Sequence, residues 1–236
     1  IDEEITVPEL VKEDTLCPHQ DYVYFAFPTK EEQEQLDAFS QQKNALLQQL
    51  TSDPLFCQHL QTCQALSGQI SNDELLNEPK YLSATLIFLR SKGIDFPKRF
   101  QDLLGAKKLP AFTLDWLEIL LQGLLFQVPQ WYNLPEEYEK QLLHELKAAS
   151  LIDRKQVKLV RNKKQDLLLN QSLGKLNAVR EIFKAEYQAL GSRLRQLVLT
   201  DYIRQDFEVH LGDKDAQFTQ LGVLSYFESI RRESLE

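Results

Sequence analysis

At 236 residues the chain is long enough for one large domain or two small ones, and 43% hydrophobic with 26% charged residues is the balance of a globular protein. No apolar run approaches the ~20 residues that span a bilayer, and the acidic opening "IDEEITVPEL" lacks the basic-then-apolar order of a secretory signal; a cytoplasmic setting without membrane contact is expected. A net charge of −8 and a pI near 5.2 exclude a global pull on nucleic acid, so any contact with phosphate has to come from a local patch.

Three cysteines, Cys17, Cys57 and Cys63, fit a reducing compartment better than a disulfide framework. Methionine is absent altogether. Two readings account for that: excision from a longer protein, or modified methionines missing from the sequence as written.

In chain order, residues 1 to 21 read as an acidic, proline-bearing linker with a short extended element at Ile5 to Val7. "DYVYFAFPT" places aromatic and β-branched residues from Tyr22 to Phe27 before Pro28, which predicts a strand covered on both faces. Thr29 and Glu32 form a T-x-x-E capping box, and Leu36, Phe39, Leu46, Leu47 and Leu50 then share one stripe of a helix, with Lys43 outside. Asp53-Pro54 restarts a helix whose buried side is Phe56, Leu60, Cys63 and Leu66.

Ser71 and Glu74 form a second box, opening a helix that Pro79 interrupts or kinks. It resumes through Leu82, Leu86 and Leu89 and stops at Gly93. A short amphipathic turn follows Pro97, and "TLDWLEILLQGLLF" is apolar nearly all round, as a central buried helix would be. Two further helices are predicted: one opening at Pro135 with glutamates in its first turn, and one from a Ser172 cap to Gly191. In the second, Leu176, Val179, Phe183, Tyr187 and Leu190 face inward.

"LVLT", Leu197 to Thr200, reads as a second doubly buried strand, followed by a polar loop "GDKDAQ" and a last helix, "QLGVLSYFESIRRE". The fold class predicted is therefore mainly α: a bundle of about six to seven helices over residues 29–191, bracketed by short strands at 1–28 and 192–236 whose sheet is largely not in this chain.

Candidate chemistry is sparse. Cys17 with His19, and Cys57 with His59 and Cys63, lack the paired C-x₂₋₄-C spacing of structural zinc, so no metal is expected. His144 falls at a surface position of its helix. No G-x-S-x-G, G-x-x-x-x-G-K-[ST] or G-x-G-x-x-G occurs, and no self-contained catalytic site is expected.

The basic stretch "DRKQVKLVRNKK" stands out in an acidic chain: Arg154, Lys155, Lys158, Arg161, Lys163 and Lys164 follow a helix as a β-like arm with Val157, Leu159 and Val160 alternating, in the order of a winged-helix edge. Such an arm can lie along a phosphate backbone; the plainer reading is a solvated surface hairpin. Thr200, Asp201, Tyr202 and Arg204 lie at and just beyond the carboxyl end of a predicted strand, where α/β sheets place their ligands.

The order "EITVPELVKE", "LCPHQDYVYF", "PTKEE", then "LLLNQSLGKLNAVREIFKAEYQALG", "LRQLVLTDYIR" and "QLGVLSYFESIRRE" resembles bacterial DEAD/DEAH-type helicases of superfamily two, over the segment between their two RecA-like lobes and into the second lobe. The resemblance covers both ends of the chain and the stretch from about residue 167 onward; the helical middle matches in general character. It implies a central helical domain of an ATP-dependent helicase or translocase, shaping the nucleic-acid channel and coupling the motor lobes, without catalysis of its own. It also implies DNA or RNA as partner, with DNA the first choice, and the remaining motor lobes in cis. ATP and Mg would be held by the parent protein and not by this stretch. Thr200, Asp201 and Arg204 would neighbour helicase motif four, near the inter-lobe cleft. Open sheet edges would promote self-association or fraying at the C-terminal end. The alternative is an α-helical protein–protein interaction module.

Overall fold

The computed structural model describes residue 12 and residues 22–200 and 221–233. They fall into two compact units: Thr29–Ser172, and a second built from Ile1–Pro28 together with Leu173–Glu236. The fold is mainly α, and among the described residues no helix is long and apolar enough to cross a membrane. The extended elements at Ile5 to Val7 and the "GDKDAQ" loop lie outside the described residues.

The first unit opens as its capping box dictates. The Thr29 side chain accepts from the Glu32 amide, Glu32 accepts from the Thr29 amide at 2.8 Å, and α1 runs Lys30–Ser52 with Phe39, Leu47 and Leu50 buried. Asp53 caps α2 (Pro54–Gln61). Cys63 starts a separate turn, α3 (Gln64–Ser67), so Phe56, Leu60, Cys63 and Leu66 are all buried but on two helices. Ser71 caps α4 (Asn72–Asn77), while the Glu74 carboxylate is drawn away from the cap to accept the Trp131 indole N–H at 3.2 Å.

Pro79 interrupts the helix and opens α5 (Pro79–Ser91), on which every residue from Tyr81 to Leu89 except Ser83 is buried. Gly93 follows at φ 68, the left-handed stop expected of a glycine there. Next come α6 (Lys98–Leu103) and α7 (Leu114–Gln122); α7 runs without a break into a π turn over Gly123–Gln127, where the Val128 amide donates to the Gly123 carbonyl. α8 (Pro129–Tyr132) and α9 (Glu136–Ala148) lead to the hairpin β1 (Ile152–Asp153) and β2 (Gln156–Val157), paired Ile152 to Val157 and Asp153 to Gln156. α10 (Lys163–Asn170) ends the unit.

The core is one cluster centred on α5 and α7. Phe88 meets Phe56 and Phe112 edge-on at 5.4 and 5.5 Å, a favoured aromatic geometry. At Gly123 the π turn packs directly on α5: a Cβ there would lie 2.6 Å from Cδ1 and 3.2 Å from Cβ of the buried Tyr81. The two ends of the unit also meet, the Ser172 hydroxyl donating at 2.6 Å to Glu32 in the first turn of α1. Ser172 is therefore not the cap of the helix that follows, as its sequence position predicts; the cap position of that helix is Leu173.

The second unit holds α11 (Gly174–Leu190) and α12 (Val223–Glu233). Leu176 is buried and Val179 and Phe183 half-buried, but Tyr187 and Leu190 are exposed, contrary to expectation: Tyr187 stacks on Phe183 at 5.8 Å and lines an open recess with Leu194, Val198 and Ile230 that leaves it in part to solvent. α12 is tied to α11 by Glu233, which receives Arg180 and, at 2.9 Å, Lys184. Glu228 is buried and receives Arg231 and Arg232.

The two bracketing strands are corrected. Residues 22–28 and 194–200 form no strand, and Tyr22, Val23, Phe25, Phe27, Leu197 and Leu199 are at least 76% exposed. Among the described residues neither segment joins a ladder, and β propensity alone does not make a strand.

Gly123→Ala should destabilise the protein by about 1–3 kcal/mol, more than the helix propensity it gains, as read from urea unfolding. In the second unit, hydrogen bonds from Arg231 first and Arg232 next pull the Glu228 carboxyl down to about 2. A lowered carboxyl stabilises the fold fully above the ordinary carboxylate range and loses that contribution as pH falls toward the folded value. Amide-exchange protection of α12, corrected for intrinsic rates, should therefore fall between about pH 4.5 and 2 while α5 keeps its own.

Candidate nucleic-acid interface

The basic arm is a built hairpin. Leu151, Val157 and Leu159 are fully buried, anchoring alternate positions, and the ladder continues past the strands where the Lys158 amide donates to the Leu151 carbonyl at 2.8 Å. Val160, next to the buried Leu159, falls on the opposite face and is 46% exposed.

Helix α7 fixes the arm with two side chains one turn apart. The Glu118 carboxylate accepts the Leu159 and Val160 amides at 2.6 and 3.0 Å. Gln122 accepts from the Val157 amide at 2.8 Å and donates to the Lys155 carbonyl at 3.1 Å. From α1, the Lys43 ammonium donates to the Leu159 carbonyl at 3.2 Å. The buried Asn162 donates to the Ser150 carbonyl and accepts from the Lys164 amide at 2.8 Å, joining the arm to the start of α10. Hydrogen bonds of this kind contribute about 1 kcal/mol each and about 1.5–3 when one partner is charged. The arm is held by its backbone and by its buried Val157, Leu159 and Asn162, leaving its charged side chains to the surface.

Five of the six predicted basic residues gather on two sides of the hairpin. On one side, Arg154, Lys155 and Lys158 line a groove of about 840 Å³ shared with Lys80 and Tyr81 of α5 and Gln127 of the π turn. On the other, Lys158, Lys163 and Lys164 line a recess of about 290 Å³ at the start of α10. Lys158 borders both. Arg161 is exposed and borders neither. Asp153 borders both recesses too, 3.6 Å from Lys163, and the Lys164 ammonium lies 5.5 Å from the Phe39 ring centre.

Arg154 occupies the hairpin turn at φ 59, and Ser150, just before the hairpin, is at φ 57. That left-handed region suits glycine and costs a side chain of this size about 1–2 kcal/mol. Strain at a charged, exposed turn residue is a pointer to function.

The other candidates are not brought together. Thr200 is half-buried in extended chain; Asp201, Tyr202 and Arg204 lie outside the described residues. Among the described residues no three His, Cys, Asp or Glu side chains group as a metal site. Cys57 and Cys63 are free thiols, both raised by burial, Cys63 up to about 11. Cys17 and His19 lie outside the described residues, and His144 is exposed as expected.

Sequence reading missed Glu118, Gln122, Lys43, Asn162 and Lys80. A signal existed for two of them: Glu118 and Gln122 are an i, i+4 polar pair on an otherwise apolar face. No family model, no curated protein and no solved structure matches the chain.

Arg154→Gly should relieve the turn and raise stability by about 0.5–1 kcal/mol, net of the entropy glycine loses on folding. Denaturant midpoints of the two proteins measure it; an unchanged or lower midpoint would show that the turn carries no strain.

Proposed function

We propose that this chain is the central helical domain of an ATP-dependent nucleic-acid helicase or translocase, and that it holds the phosphate backbone with the 152–164 arm. The observation that carries this reading is the arm itself. Six basic side chains stand against one acid, Asp153, in a chain of net charge −8, on a backbone pinned by Glu118, Gln122 and Asn162. A pinned backbone pre-orders the cations, so binding phosphate costs less conformational entropy than with loose surface lysines.

On this reading each lysine or arginine that meets a phosphate releases condensed counterions. The contact is independent of sequence, as a translocating track needs to be. The sequence resemblance supplies the rest: two motor lobes in cis, DNA before RNA, and ATP with Mg held by those lobes in a cytoplasmic protein. This chain has no phosphate loop with which to hold nucleotide itself.

A second reading has its own observation. The exposed apolar residues of 22–27 and 197–199 would serve an interaction module equally well.

A fluorescent 20-mer oligonucleotide separates the two. If about five phosphates are met, affinity should fall roughly 10²–10³-fold between 50 and 200 mM salt. Replacing Arg154, Lys155, Lys158, Arg161, Lys163 and Lys164 with Ala should abolish binding at low salt. Binding that ignores those substitutions would sink the arm as a contact and leave the interaction module.

A further inference from the structure

The groove beside the hairpin has a second wall, and it comes from a part of the chain that the basic arm does not include. Lys80, the second residue of α5, borders it together with Arg154, Lys155 and Lys158. Its position is not accidental to the fold. The adjacent Tyr81 is locked against Gly123, and the Lys80 ammonium lies 4.8 Å from the Tyr81 ring centre and 3.3 Å from Glu78. The Tyr81 side chain first, and Glu78 next, raise this ammonium above the ordinary lysine range. Its side chain remains more than half exposed.

What the groove lacks is as informative as what it holds. Proteins that grip single strands through their bases present exposed aromatic faces for stacking. The aromatic residue bordering this groove, Tyr81, is only 4% exposed and has Lys80 beside its ring. Gln122, which could hydrogen-bond a base edge, spends both ends of its amide on the hairpin backbone. Of the negative groups there, Glu118 is engaged by two backbone amides; Asp153 forms only an exposed pair with Lys163 at 3.6 Å, as Glu78 does with Lys80, and such pairs are weak enough for phosphate to displace. A volume of about 840 Å³ is at the upper end of ligand-sized clefts and fits several linked phosphate-sugar units.

We infer that this groove is a two-walled track for a phosphodiester backbone, with Lys80 of α5 supplying the wall that faces the hairpin cations, and that it grips by phosphate alone without reading bases. The inference rests on the nucleic-acid reading above and adds to it a residue and a mode. Glu118 and Gln122 are positioning residues: they set where the hairpin wall stands and touch no phosphate.

The test is the salt dependence of oligonucleotide binding by the full chain, in wild type, Lys80→Ala, Lys80→Glu and Lys140→Ala. Lys140 is an exposed lysine on α9, paired with Glu136 at 2.7 Å, and controls for removal of any positive charge. Losing one phosphate contact should flatten the slope of log K against log salt by about 0.7 on single strands, or about 0.9 on duplex. Lys80→Ala should show that change with several-fold weaker binding at low salt. Lys80→Glu should bind more weakly still, and Lys140→Ala should match wild type. Oligo-dT and oligo-dA of equal length should bind within about twofold of each other if stacking, worth ~1–3 kcal/mol per base, contributes nothing.

Wild-type slope and affinity in both Lys80 variants, with arm variants still defective, would overturn the second wall and leave the arm standing. Indifference to the arm and to Lys80 alike would overturn the parent reading. A base preference above tenfold would overturn recognition by phosphate alone. Inorganic polyphosphate competing at lower phosphate concentration than the oligonucleotide would reassign the track to free polyphosphate and overturn the nucleic-acid assignment.

Discussion

The close crossing of α5 and the π turn at Gly123 is the constraint from which the rest of the first unit follows. A close-packed interior has no slack, so the place where two helices touch fixes both of them. Tyr81 fills the space that any side chain at 123 would need. The Tyr81 carbonyl accepts from Thr85 at 2.9 Å, and Thr85 in turn meets the Tyr132 hydroxyl at 2.9 Å, so α8 is keyed to the same point. Gln122, one residue before the glycine, holds the hairpin; Lys80, one residue before the tyrosine, borders the groove. A contact deep in the core is thus one residue away from both walls of the surface feature.

The π turn belongs to that arrangement. An i→i+5 turn lets α7 gain a residue without unwinding, and such bulges recur at functional sites. Here the turn ends at Gln127, on the edge of the groove. Nothing in "LLQGLLF" marks a π turn as distinct from an ordinary helix, and the contact that Gly123 makes there is with Tyr81, which the local sequence does not show.

What was legible in the sequence was local chemistry. Thr29 with Glu32, Asp53 with Pro54, Pro79, Gly93 and Pro135 each set a helix boundary through a bond or a torsion that the neighbouring residues supply, and the structure has those boundaries. The hairpin was legible as a basic, alternating arm. What failed depended on partners distant in sequence. Ser172 looks like a cap and bonds instead to Glu32, 140 residues away. Tyr187 and Leu190 have the periodicity of a buried face, yet Tyr187 ends up on the wall of an open recess and Leu190 at the surface. The strands at 22–27 and 197–200 have β composition and no ladder. Of the pins beneath the arm, Lys43 and Asn162 carry no pattern at all; they are ordinary polar residues until the fold brings backbone carbonyls to them.

The bond between Ser172 and Glu32 has a topological consequence. The body from 29 to 172 begins and ends at one spot, while the second unit is drawn from the chain on either side of it. A body whose two ends coincide can be spliced into a loop of another fold without prising that loop open. It is also a natural subject for circular permutation: linking 172 back to 29 through a short bridge would free new ends elsewhere, and the arm, the groove and the Gly123 crossing would all lie within the rejoined ring.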